Sequence, residues 1–196
     1  MDIIHARCRK ILEDDLEMLM HWRMRPDITY YMNSDPQLTM RDQEKWYGQI
    51  QEDGKKSLGD GRKGFYWILE VDDVPAGFVS LVDIDFAAKK LHTGVYVAEK
   101  EKRSLRLSLD IQWNLYRYSF ETLQMNKVCE EVFAENKAVN RLLDMCGSTR
   151  EGLLRSHVCK NGRYIDVVTR GILRSEWEEK KKGLEYNLIE MEEWGG

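Results

Sequence analysis

Four residues near the middle of the chain have types and spacing suited to anion chemistry. Arg103, Ser104, Arg106 and Ser108 fall in "KRSLRLSLD", directly after the strand-like "GVYVAE". If a helix starts near Ser104, the N–H groups of its first turn lack intrahelical acceptors and lie at the positive end of the helix dipole. A phosphate or pyrophosphate suits such a terminus, and the two arginines add charge. The plainer alternative is that both arginines decorate a solvated helix end. Helix physics alone favours that alternative, so context must decide. The four histidines are scattered, and Cys8, Cys129, Cys146 and Cys159 fall in no CxxC or CxxxC spacing. No metal site is expected, and reduced thiols in a cytoplasmic protein are.

The segment that carries these residues is itself ambiguous. From Ser104 to Leu115 polar and apolar residues alternate, which is the pattern of a half-buried strand. A strand of that length is unusual, however. Arg106, Asp110, Asn114, Arg117 and Glu121 recur at spacings of four, four, three and four, which gathers them into one polar stripe on a helix. A helix wet along that stripe and buried elsewhere explains the run to Thr122, whereas a strand fails at Tyr116.

Other elements must position this helix. "LEDDLEMLMHWRM" reads as a helix capped by Asp14 or Asp15 and stopped by Pro26. Thr39 is a candidate N-cap for a second helix through Trp46 and Ile50, and the charged, glycine-containing "EDGKKSLGDGRKG" reads as a loop. "FYWILEV" and "FVSLVDID", joined by "DDVPAG", form an expected hairpin, with "HTGVYVAE" as a third strand. After the contested helix come a strand in "KVCEEVFAEN" and a helix in "NKAVNRLLDMCG" closed by Gly147. A second hairpin turns at Asn161-Gly162. The expected class is α/β (α+β): one domain over 1–180, followed by a charged tail at 181–196.

With 196 residues, 42% hydrophobic and 33% charged, the chain has the balance of a globular domain. A net charge of −4 without a concentrated basic surface argues against nucleic acid as partner. "MDIIHARCRK" contains no apolar stretch of signal-peptide length, and no run is long and apolar enough to suggest a membrane partner.

The strand–loop–helix–strand–helix series resembles the GCN5-related N-acetyltransferase (GNAT) superfamily. "YSFETLQMNKV", "AENKAVNRLLDMCGSTREGLLR" and "NGRYIDVVTRGIL" carry the resemblance. It implies a GNAT fold, with a central mixed, largely antiparallel sheet flanked by helices on both faces. The family's Arg/Gln-x-x-Gly-x-Gly/Ala motif, whose amides bind the acetyl-CoA pyrophosphate, falls on Arg103, Ser104, Leu105, Arg106, Leu107 and Ser108. The arginine is present, but Arg106 and Ser108 replace the usual small residues. Asn136 matches the asparagine that contacts the CoA arm, Asn140 and Arg141 are further candidates for its phosphates, and the arm would pair with backbone around Val95, Tyr96 and Val97. Leu143 stands where many relatives have a proton-donating tyrosine.

The first half is similar to the branch that acetylates the 4-amino group of UDP-4-amino-4,6-dideoxy-N-acetyl-β-L-altrosamine, a step of pseudaminic acid synthesis for flagellin glycosylation. That resemblance implies a substrate set of Trp22, Arg23, Met32, Gln43, Ser80 and Asp85, with Met24 and Gln43 departing from the branch's asparagine and histidine. Asp83, Asp85 and Glu131 are candidate bases, with Asp83 first because the resemblance sets its strand on the substrate side. Each has a structural alternative: Trp22 as core anchor, Arg23 as surface ion pair, Tyr96 as strand packing, the carboxylates as solvated salt bridges. The implied activity is direct acetyl transfer from acetyl-CoA, without metal, to a small amine, with a homodimer as the candidate assembly. The alternatives are a polyamine or protein N-terminal acetyltransferase, and a non-catalytic acyl-CoA-binding or interaction protein of the same fold. "LVDID" resembles the acidic strand of spermidine acetyltransferases.

Overall fold

Tight turns build much of the sheet. Asp72 and Asp73 both have positive φ, 54° and 61°, the left-handed pair of a type I′ hairpin. They join Gly64–Val71 (β2) to Val74–Asp85 (β3). Asn161 and Gly162, at φ 51° and 77°, likewise join Thr149–Lys160 (β6) to Arg163–Leu173 (β7). The remaining strands are Ala6–Lys10 (β1), Lys90–Val97 (β4), Lys127–Phe133 (β5) and Glu190–Met191 (β8). The computed structural model describes residues 5–56 and 61–194, so part of the expected "EDGKKSLGDGRKG" loop lies outside the described residues. Among the described residues eight strands form one sheet in the order β6-β7-β5-β4-β3-β2-β1-β8. β4 with β5 and β1 with β8 are parallel, and the other neighbours are antiparallel.

Helices cover both faces. They are Leu16–Met24 (α1), Pro26–Thr29 (α2), Met40–Gly54 (α3), Leu105–Arg117 (α4), Lys137–Cys146 (α5) and Arg174–Lys180 (α6). Side chains of β2 alternate between the two faces. Phe65, Trp67 and Leu69 pack with Leu107, Ile111 and Leu115 of α4 and Trp177 of α6. Tyr66 and Ile68 pack on the other face with Leu19 and Trp22 of α1 and Ile50 of α3. Thr39 caps α3 in a reciprocal box with Asp42, and Gly147 closes α5 at φ 92°.

The contested segment is a helix. Ser104 caps it by accepting from the Leu107 N–H at 3.1 Å, and a π-helical turn carries it from Tyr118 to Thr122. Its polar stripe is dry at its centre, however: Asp110 and Asn114 are each 1% exposed, while Glu121 at its end is exposed. The C-terminal segment lies over them. Asn187 donates to Asp110 from its backbone N at 3.2 Å and from Nδ2 at 2.8 Å. Asn114 Nδ2 donates to the Asn187 carbonyl at 2.8 Å, and Ile189 N–H donates to Asn114 Oδ1 at 3.0 Å. Buried polar groups need partners, and the returning chain supplies them. The expected boundary after residue 180 is therefore not where packing ends. Ile189 and Met191 belong to the main core, and β8 lies beside β1.

Candidate active site

The sheet is split at its centre. β4 pairs with β5 only through Lys90↔Lys127, Leu91↔Val128 and His92↔Cys129. Beyond His92, β4 stays with β3 as far as Val97, while β5 stays with β7 as far as Phe133. The two strands part and leave a cleft of about 780 Å³ between Val95–Val97 and Glu131–Phe133. Backbone polarity in the gap follows from strand alternation. Ala98 N–H donates to Ala76 of the β3 segment at 2.7 Å, so Tyr96 and Gly94 also face β3, and the N–H groups of Val95 and Val97 face the gap. The Val97 carbonyl accepts from Arg103 Nε at 2.8 Å, consistent with that direction.

The N-terminus of α4 stands at one end of this cleft, where Arg103 and Ser108 line it. Helix geometry leaves the Leu105 and Arg106 N–H groups without intrahelical acceptors, whereas Leu107 N–H is taken by the Ser104 cap and Ser108 N–H by the Ser104 carbonyl. Ser108 Oγ donates to the same carbonyl at 2.9 Å. The arginine side chains are already engaged. Arg103 binds the Val97 and Ala98 carbonyls and Asp27. Hydrogen bonds from Arg25 and Arg103 hold the Asp27 carboxyl well below the usual range. Arg106 Nε pairs with Asp110 at 3.0 Å.

On the β5 side, Asn136 lines the cleft and caps α5 by accepting from Val139 N–H at 3.2 Å. Asn140 Nδ2 donates back to the Phe133 and Asn136 carbonyls, so its amide braces the β5–α5 turn. Arg141 is exposed and outside the cleft lining, while Leu143 is buried within it.

The opposite wall comes from α1, the α2 region, α3 and strands β2 to β4. Arg23, Met32 and Ser80 lie on it, joined by Trp46, Tyr66 and Phe78. Arg23 Nη1 donates to Gln43 Oε1 at 3.3 Å, and its guanidinium stands 5.8 Å from the Trp46 ring. Gln43 is itself fully buried and donates to the Leu16 carbonyl, so it braces Arg23 from behind. Trp22 is also behind the wall, donating Nε1 to Glu99 at 3.1 Å and meeting Tyr96 edge-on. Gly94 makes room for Ser80: a Cβ there would sit 2.6 Å from Ser80 Oγ.

The acidic candidates on β3 stand elsewhere. Asp83 is exposed at φ 50°, where the β3–β4 register is interrupted between Val82 and Asp85. Ser80 lines the cleft and Asp83 does not. Asp85 accepts from Ala88 N–H at 2.7 Å in the β3–β4 turn. Glu131 does line the cleft, from the β5 side, as does the buried Glu130. Glu130 accepts from Gln112 Nε2 at 3.1 Å and from the Tyr116 and Ser148 hydroxyls. Burial nevertheless raises its carboxyl above the ordinary range. Tyr96 stacks on Phe78 at 5.5 Å, its hydroxyl has no hydrogen-bond partner among the described residues, and burial raises its phenol. Sequence reasoning missed Trp46, Tyr66 and Phe78 as cleft residues and Glu130 altogether. Strand alternation from Ser80 through Phe78 was the available signal for the wall.

A family model described as an acetyltransferase (GNAT) domain matches residues 7–149. The uncharacterized N-acetyltransferase p20 of Bacillus licheniformis is 27% identical over 86% of this chain and 93% of its own length. Spermidine N(1)-acetyltransferase of Vibrio cholerae is 23% identical over the same shares, 86% and 93%. A crystal structure of spermidine N-acetyltransferase from Vibrio cholerae in complex with CoA and spermine superposes with a TM-score of 0.80 at 22% identity, covering 89% of this chain and 98% of that one.

Proposed function

Since this chain belongs to the GNAT acetyltransferase domain family and is an acyltransferase, we propose that the β4–β5 cleft transfers acetyl from acetyl-CoA directly to a primary amine. The observation that carries this reading is the parting of β4 from β5, with Val95 and Val97 N–H facing the gap and the α4 terminus at its end. The pantetheine arm would pair along β4, and the pyrophosphate would meet the Leu105 and Arg106 amides, which need no glycine if the side chains stay turned away as they are here.

A neutral amine attacks the thioester carbonyl. Charge moves onto the carbonyl oxygen, where a β4 N–H stabilises it. The C–S bond then breaks as the thiolate leaves. Water or Glu131 accepts the amine proton. Leu143 offers no proton, and Tyr96 is a poor acid, so the thiolate takes its proton from solvent; a free thiol has a pKa of about 8.5. Among the described residues no cysteine lines the cleft, and the Ser80 and Ser108 hydroxyls donate to backbone carbonyls, an arrangement that suits transfer without a covalent enzyme intermediate. The cytoplasm is the proposed compartment, supported by four unpaired cysteines.

For the acceptor, we favour the 4-amino group of a UDP-linked amino sugar. Among the described residues, the wall built from α1, α3 and β2–β4 brings Arg23 and a cluster of aromatic rings but no carboxylate to the cleft; its acids, Glu130 and Glu131, are on β5. Arg23 suits phosphate oxygens, and flat rings suit a base or sugar face. The polyamine reading draws on the names of the Vibrio relatives, yet Asp83 and Asp85, which would attract a polycation, lie outside the cleft. Thiol release from acetyl-CoA with UDP-4-amino sugars, spermidine and N-terminal peptides separates the readings. Arg23→Gln should raise KM for the sugar nucleotide by roughly 10–100-fold, the worth of a lost charge-assisted bond. Turnover of spermidine alone would overturn the sugar assignment, and no turnover with measurable acetyl-CoA binding would favour a non-catalytic role.

A further inference from the structure

The two halves of the split sheet are rejoined at the far tip of the β6–β7 hairpin. Lys160 stands there with its side chain only 9% exposed. Its Nζ donates to the Thr29 carbonyl at 2.5 Å and to the Tyr30 carbonyl at 3.2 Å, and it pairs with the Asp35 carboxylate at 3.0 Å. Next to it, Asn161 Nδ2 donates to Asp35 at 2.8 Å. The type I′ turn at Asn161-Gly162 sets these two side chains at the hairpin's end.

Topology gives this cluster its meaning. The hairpin belongs to the β5 half of the sheet, through β7. Residues 29–35 run on from the last residue of α2, and α1 and α2 pack on the β4 half. Between the anchor points Thr29–Tyr30 and Asp35 lie Tyr31, Met32 and Asn33, all three lining the cleft. The ammonium has three donors, and two carbonyls and a carboxylate take them up. Stripping an ammonium of water is costly unless its partners are this well placed. A lysine so saturated has no proton or bond left for a substrate.

We propose that Lys160, with Asp35, is a positioning clasp that ties the Tyr31–Asn33 segment across the mouth of the cleft and thereby sets its affinity for the amine acceptor rather than for acetyl-CoA. This rests on the acetyl-transfer reading for its kinetic consequence but not for its structural one. Two variants test it, Lys160→Met and the milder Asp35→Asn, each first checked by thermal unfolding. With the amine that the wild type turns over, each should raise KM for the amine about tenfold or more, while kcat and KM for acetyl-CoA stay within about threefold. In the free protein, amide hydrogen exchange should quicken at residues 28–35 and 156–164 and nowhere else. Equal rises in both KM values, or unchanged exchange at 28–35, would overturn the clasp. Absence of turnover in the wild type would count against acetyl transfer alone, because the exchange data still decide whether the clasp exists.

Discussion

Asn114→Ala probes how the C-terminal segment is held. In the native chain Asn114 receives the Ile189 N–H at 3.0 Å and donates to the Asn187 carbonyl at 2.8 Å and to the Asp110 carbonyl at 2.8 Å. Alanine leaves the Ile189 donor and the Asn187 acceptor unpaired under the tail; the Asp110 carbonyl keeps its helical partner. Each unsatisfied buried group costs about 1–3 kcal/mol, so the pair costs about 2–6 kcal/mol, with water entry pulling the value toward the lower end. For a chain of this size, a loss of about 3 kcal/mol lowers Tm by roughly 6–12 °C. Asn114→Asp should be worse at neutral pH, since it loses the donor and sets a carboxylate one helical turn from Asp110. Calorimetry measures the shift, and amide exchange of residues 185–191 shows whether the segment has lifted. A Tm change within about 1 °C, with exchange of 185–191 still slow, would refute the reasoning that α4 holds the tail through this stripe.

Other outcomes follow from buried groups in and beside the cleft. Tyr96→Phe should leave kcat within about threefold, because the hydroxyl is unpartnered and its phenol is raised by burial; a loss of about 10²-fold or more would make Tyr96 the proton donor after all. Glu130 carries a pH signature. Its carboxyl is raised by burial in the native state, whereas the unfolded carboxyl titrates near about 4.3. The native state therefore holds the proton longer, and this contribution to stability is complete below the unfolded value and is lost as pH rises through the native one. In urea melts, Glu130→Gln should gain on the wild type as pH climbs from acid toward neutral; a wild-type advantage that grows with pH would show that the carboxylate is the favoured native form.

Much of this was legible in the chain itself. The Asn161-Gly162 turn, the Thr39 cap, the Gly147 terminus and the helical spacing of Arg106 through Glu121 each depend on local backbone chemistry, which sequence reports directly. β1 was not legible, because "ARCRK" buries only Cys8 deeply and its two arginines read as surface. In fact Arg7 and Arg9 both grip the buried Glu70 at 2.6 Å. The dry centre of the α4 stripe is hidden for a related reason: Asp110 and Asn114 look wet in sequence because the chain that covers them arrives seventy-odd positions later. At the site, Val95–Val97, Arg23, Met32 and Ser80 line the cleft, the position that their proposed roles require. Asp83 does not, because it sits at positive φ where the β3–β4 register breaks. The pairing of Arg103 with Asp27 is a contact across 76 positions, and that of Arg106 with Asp110 follows helical spacing but meets a carboxylate that the tail buries.

The central claim is that acetyl-CoA lies between β4 and β5 with its pyrophosphate on the first turn of α4. Backbone amide NMR of the whole chain, titrated with acetyl-CoA alone, tests it without any choice of amine. The account predicts that the largest shifts fall on Val95, Val97, Leu105 and Arg106. Shifts gathered instead around the smaller cavity of His5, Arg7, Glu70 and Asn187, with those four amides unmoved, would contradict it.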